Sequence, residues 1–76
     1  MPVDVEPLEA ALTVLRGEDA QLHWTVIQDL ALKRGYLDPF EVKDVRKVLL
    51  AALAEGVRSG ALVKVSTGVY GLPNIP

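Results

Sequence analysis

Apolar residues recur along this chain first at helical spacing and then in a short alternating run. Leu8, Ala11, Leu12 and Leu15 make one stripe of a first helix that starts near Glu6 and Pro7. Proline suits a first helical position, because the N–H it lacks would be unpaired there anyway. Glu6 and Glu9 lie near the positive end of that helix dipole, and Gly17 is the predicted stop. Gln21-Leu22-His23 reads as a short extended segment. A second helix begins at Thr25, which forms a capping box with Gln28 three residues later. Ile27, Leu30 and Ala31 give its inward face. Lys33 and Arg34 fall in its last turn, and Gly35 supplies a left-handed C-terminal cap.

The next start comes almost at once. Asp38 is a predicted N-cap, Pro39 takes the first helical position, and Glu41 completes a second capping box. Leu37 can pack on Val42 as a hydrophobic staple. The third helix then runs to about Val57, with Val42, Val45, Leu49, Ala52, Leu53 and Val57 inward. Gly56 weakens its last turn, and Ser59-Gly60 ends it. About three residues separate helices 2 and 3, the spacing of a helix-turn-helix and also of an ordinary helical hairpin. The segment after helix 3 favours the helix-turn-helix. Ala61 to Val65 reads as a strand, Ser66-Thr67-Gly68 as a turn, and Val69 to Leu72 as a return strand that Pro73 stops. Two registers stay open. A two-residue turn at Thr67-Gly68 pairs Val65 with Tyr70 and Val63 with Leu72. A three-residue turn makes Gly68 a left-handed bulge.

These elements predict an α+β, mainly helical chain in the order helix-strand-helix-helix-strand-strand, which is the order of a winged helix-turn-helix. Residues 1–5 read as an N-terminal arm, 6–72 as the winged-helix domain and 73–76 as a C-terminal tail. Leu22-His23-Trp24 with Ile27, then Ala31-Leu32-Lys33-Arg34-Gly35, resembles the start of the HARE-HTH winged-helix family. Leu62-Val63-Lys64-Val65 with Gly68-Val69-Tyr70-Gly71-Leu72 resembles that family's closing hairpin. The likeness runs from about Ala10 to Leu72. Val26 departs from it where the family often has an acid, Leu62 where an aromatic is usual, and Asp38-Pro39 where Thr-Pro is frequent. The resemblance implies a role in DNA transactions. The family is associated with chromatin proteins, restriction systems and a bacterial RNA polymerase subunit, so it implies both DNA and protein contact.

Composition narrows the function classes. The chain has 76 residues, enough for one domain, with half of them apolar and 24% charged. A domain this small buries only roughly 60% of its unfolded surface, so most large apolar residues are needed in the core. The longest apolar run, Val48 to Ala54, is too short to span a bilayer. The acidic N-terminus is unlike a signal peptide, and a cytoplasmic location is expected. Cysteine is absent and His23 is the sole histidine, so no metal or other cofactor is expected. No phosphate loop, carboxylate pair or nucleophile motif suggests an enzyme. The net charge of −2 is unevenly spread. Residues 1–32 carry one base against six acids, and residues 33–76 carry seven bases against four acids.

The candidate sites reflect that asymmetry. Lys43, Lys47, Leu50 and Ala54 are placed on the outer face of helix 3, with Arg46 beside them. Lys43, Arg46 and Lys47 are positioned to meet phosphates or guanine edges of double-stranded DNA. Arg58 and Lys64 can assist from the wing side, and Ser66 and Thr67 can hydrogen-bond phosphate oxygens at its tip. Lys64 serves equally as an edge-strand guard. His23 and Trp24 read as structural residues beside the small sheet. Tyr36, Leu37, Phe40 and Leu50 are candidates for an apolar patch facing a protein partner or a second copy. The expected function is a small DNA-binding transcription regulator or accessory factor. The alternative is a protein-interaction domain that docks on a larger nucleic-acid machine or self-associates.

Overall fold

The computed structural model describes residues 7–73. The expected arm, the first-turn residue Glu6 and residues 74–76 of the expected tail lie outside the described residues. The elements are α1 (Pro7–Glu18), β1 (Leu22–His23), α2 (Trp24–Lys33), α3 (Val45–Ser59), β2 (Val63–Ser66) and β3 (Val69–Gly71), in the order the sequence predicts. The three strands form one antiparallel sheet in the order β1-β3-β2. The fold is thus three helices and a small antiparallel sheet, of mainly helical α+β class. No helix among the described residues is long and apolar enough to cross a membrane.

α1 packs on both other helices and divides the core in two. Ala11, Leu12 and Leu15 join Ile27, Leu49, Leu53, Leu62 and Tyr70 in the larger cluster. Ala10 and Val14 join Ala31 and Leu37 in the smaller one. No polar or charged residue is buried as a whole among the described residues, although the Gln28 side-chain oxygen is. α1 does not stop at Gly17. It continues to Glu18, and Asp19 takes the left-handed conformation with φ of 53°. Glu18 then accepts a hydrogen bond from Arg34 at the end of α2. That bond holds the Arg34 guanidinium above its ordinary pKa. Both side chains remain about a third exposed, so water screens the pair.

α2 begins two residues earlier than its predicted capping box. His23 is the N-cap, and its Nδ1 accepts from the Thr25 N–H at 3.2 Å and contacts Thr25 Oγ1 at 2.8 Å. Thr25 is therefore inside the helix. Gln28, its expected partner, has its side-chain oxygen buried without a hydrogen-bond partner. The far end behaves as predicted. Gly35 has φ of 78°, Tyr36 N–H donates to Ala31 O at 2.8 Å, and Gly35 N–H donates to Leu32 O at 3.2 Å. These two bonds form a Schellman cap.

The largest correction concerns α3, which starts at Val45 and not at Pro39. Asp38 does cap a turn: its Oδ1 accepts from Phe40 N–H at 2.9 Å, and its carbonyl accepts from Glu41 and Val42. The turn does not propagate. Asp44, left-handed with φ of 53°, makes the real N-cap and accepts from Lys47 N–H at 3.3 Å. Leu37 packs with Ala10, Val14 and Ala31 instead of forming a staple with Val42, and Val45 lies alongside.

Gly56 also differs from its predicted role as a weak point. It is buried, its carbonyl accepts from Leu62 N–H at 3.0 Å, and Leu8 and Leu62 press on it. The hairpin combines features of the two predicted registers. Ser66 opposes Val69 across the Thr67-Gly68 turn, but Lys64 opposes Tyr70 and Val63 opposes Gly71. Val65 is the extra residue of a bulge.

Candidate nucleic-acid interface

Asp44 turns the chain into α3 and aims the first helical turn outward. Arg46 and Lys47 are exposed there. With Asp44 and Leu50 they line an open groove of about 290 Å³. The Arg46 guanidinium lies 5.6 Å from the centre of the Trp24 ring, a cation–π distance. Trp24 is in turn bound to the hairpin, because its backbone N–H donates to Gly68 O at 2.8 Å. The His23 ring lies 5.8 Å from that of Trp24, and a side chain on Gly68 would run into it. Trp24 thus holds the first turn of α3 on one side and the Ser66-Thr67-Gly68 turn on the other.

This arrangement joins some of the expected DNA-contacting residues and separates others. Arg46 and the turn carrying Ser66 and Thr67 meet around Trp24, and Lys47 shares the groove with Arg46. Lys43 is exposed but precedes the helix, so it is not on the outer face of α3. Leu50 is half-buried and packs against the larger core cluster. The outward stripe is instead Lys47, Ala51, Ala54 and Arg58, all exposed. Arg58 stands about 16 Å beyond Lys47 along the helix axis. It pairs with Glu55 at 3.0 Å. Lys64 is exposed on the edge strand β2, opposite Tyr70.

The expected apolar patch is dispersed. Leu37 is only 3% exposed and belongs to the core, Tyr36 is half-buried against the same cluster, and Phe40 is 95% exposed. Leu37 is therefore unable to offer its side chain to a partner. His23 caps α2 and Trp24 bonds to the hairpin, and together they link the two ends of the candidate surface. A strand-to-helix junction with one tryptophan hints at packing there. Nothing in the linear pattern places Arg46 or Gly68 on that ring.

The electrostatics at this end are mixed. Arg34 and Arg58 are ion-paired, whereas Lys43, Arg46 and Lys47 have no ion-pair partner among the described residues. Asp44 lies in the same groove, although its carboxylate is engaged by the Lys47 N–H. No group of three potential metal ligands occurs among the described residues. The arrangement offers cations and hydrogen-bond donors to an anion.

The fold and this surface define a small α+β domain with a cationic helix start beside a hairpin turn. No family model, curated protein or solved structure matches the chain.

Proposed function

We propose that this chain is a winged-helix domain of the HARE-HTH kind that binds double-stranded DNA, as a cytoplasmic transcription regulator or accessory factor with a binding rather than a catalytic role. The observation that carries this reading is the pairing of Arg46 with the hairpin turn through Trp24. A winged helix needs the start of its third helix and its wing to address one duplex together, and Trp24 couples those two parts. Two further features support it. Lys43, Arg46 and Lys47 have no carboxylate partner among the described residues. Ala51 and Ala54 keep the outward face of α3 slim enough to enter a major groove.

Three phosphate contacts give modest, salt-sensitive affinity. The slope of log K against log salt is then about −2.7, so affinity falls roughly fortyfold between about 50 and 200 mM salt. Fluorescence anisotropy of a labelled duplex tests this at low salt. Lys43→Glu with Lys47→Glu abolishes binding if the reading is right. Binding that is absent in the native chain, or unchanged in that variant, overturns it. A second reading, contact with a protein, is favoured by one observation: the bare ring of Phe40 on the connection that leads into α3.

A further inference from the structure

Phe40 stands outside the packing altogether. It is 95% exposed, whereas the other exposed large apolar side chains, Val26, Val63 and Val65, are 41%, 39% and 45% exposed. The chain has one tryptophan, two tyrosines and this single phenylalanine. A domain this small needs its large apolar side chains inside, and this one contributes nothing to the core. Its backbone is nevertheless fixed. Phe40 N–H donates to Asp38 Oδ1 at 2.9 Å, and the next two amides return to Asp38 O at 3.1 and 2.9 Å. The ring is held outward by a hydrogen-bonded turn.

The same connection ends in a groove of fitting chemistry. Leu50 gives the Asp44–Arg46–Lys47–Leu50 groove an apolar wall, and its volume of about 290 Å³ has room for a phenyl ring. Arg46 and Lys47 bring methylene stems and cations suited to an aromatic face. We propose that this face binds a second copy of the chain, with Phe40 of each copy seated in the other's groove. Phe40 and Asp44 are four residues apart, at most about 14 Å along the chain. One two-fold axis near Asp44 therefore makes both contacts at once, as a self-complementary dimer requires.

Charge selects a second copy as the occupant. Residues 38–47 carry three acids, Asp38, Glu41 and Asp44, and three bases, Lys43, Arg46 and Lys47. Two-fold packing sets the acids of one copy against the bases of the other, with no net repulsion. The open edge of β2 is a poorer meeting place, because Lys64 and the bulge at Val65 both obstruct strand addition. The contact is small, so the dimer is weak and forms at high protein concentration.

Because Phe40 is the sole phenylalanine, 4-fluorophenylalanine labels that position alone. Sedimentation equilibrium and fluorine NMR are run on one dilution series without DNA, so the outcome is independent of the DNA reading. The expected result is a mass that rises from monomer to dimer while the fluorine signal moves in step. Phe40→Ala, at a site the core does not use, keeps the helical circular dichroism. It raises the dimer dissociation constant at least tenfold, an order of magnitude set by the two rings lost from each dimer. A monomer at every concentration, a dimer with an unmoved fluorine signal, or undiminished association of Phe40→Ala each overturns the proposal.

Discussion

Replacing Gly56 with alanine sets two effects of known sign against each other. In an exposed helix the change stabilises by roughly 0.5–1 kcal/mol, because glycine loses more backbone freedom on folding. Here the added Cβ would lie 2.7 Å from Leu62 Cδ1, 2.8 Å from Leu8 Cδ1 and 3.0 Å from Leu62 Cγ. Leu62 has little room to give way: it is 1% exposed, and its N–H is bonded to Gly56 O. Overpacking a filled core costs about 1–3 kcal/mol, so the steric effect wins. Gly56→Ala is therefore expected to destabilise by about 1 kcal/mol net, which lowers Tm by roughly 4–8 °C in a domain this size. Urea and thermal unfolding followed by circular dichroism measure it. Trimming the neighbour supplies the control. In a Leu62→Val background the same alanine should cost less, because the two closest Leu62 atoms are removed or moved. A Gly56→Ala chain more stable than the parent would refute close packing at this position.

Other positions separate the observed structure from plausible alternatives. His23→Ala removes the acceptor at the start of α2 and should cost about 1 kcal/mol, whereas Thr25→Ala should cost less; thermal unfolding of the two shows which residue is the cap. Gly68→Ala should destabilise more than Gly60→Ala. Both glycines have positive φ, at 77° and 87°, but only at Gly68 does a Cβ also meet the His23 and Trp24 rings. The shared backbone strain is about 1–2 kcal/mol, and urea unfolding reads the excess at Gly68. Asp44→Asn keeps a cap that tolerates the left-handed region and removes the carboxylate from beside Arg46 and Lys47. Anisotropy titration should show duplex DNA bound about two- to fivefold more tightly, the range expected for one exposed charge.

The sequence is most legible where one local signal acts alone. Gly35 and Gly60 end helices because no other residue type takes their backbone angles so readily, and both do so in the structure. The apolar stripe of α1 is equally clear, although its buried face is wider than the stripe because α2 and α3 both cover it. Legibility fails where two signals of similar strength compete. Asp38-Pro39 and Asp44 are both sound helix starts. The first yields a single turn, and Asp44 prevails at the point where Val45 reaches the core. Thr25 is the stronger N-cap by residue type, yet His23 caps α2 two residues earlier, where β1 ends, and bonds to Thr25. At the candidate site, the cations were readable as residue types. Their grouping was not, because Trp24 joins Arg46 to Gly68 through contacts between distant parts of the chain.

The start of α3 is an unusual place for a neutral surface if DNA is the ligand. Lys43, Arg46 and Lys47 are balanced by Asp38, Glu41 and Asp44 within ten residues of chain. A tight sequence-independent DNA binder gains from removing such acids, since each one repels phosphates. Asp38 and Asp44 have structural roles that explain their presence, because each caps a turn. Glu41 makes no side-chain hydrogen bond or ion pair among the described residues, and neither does Phe40 bury its ring. A duplex would make no use of those two residues, whereas the proposed dimer would. Phosphates and a second copy would both engage Arg46 and Lys47, so the two cannot occupy one face together. If the chain both self-associates and binds DNA at this face, dimerisation limits DNA binding as protein concentration rises, and Asp44→Asn pushes the two equilibria in opposite directions.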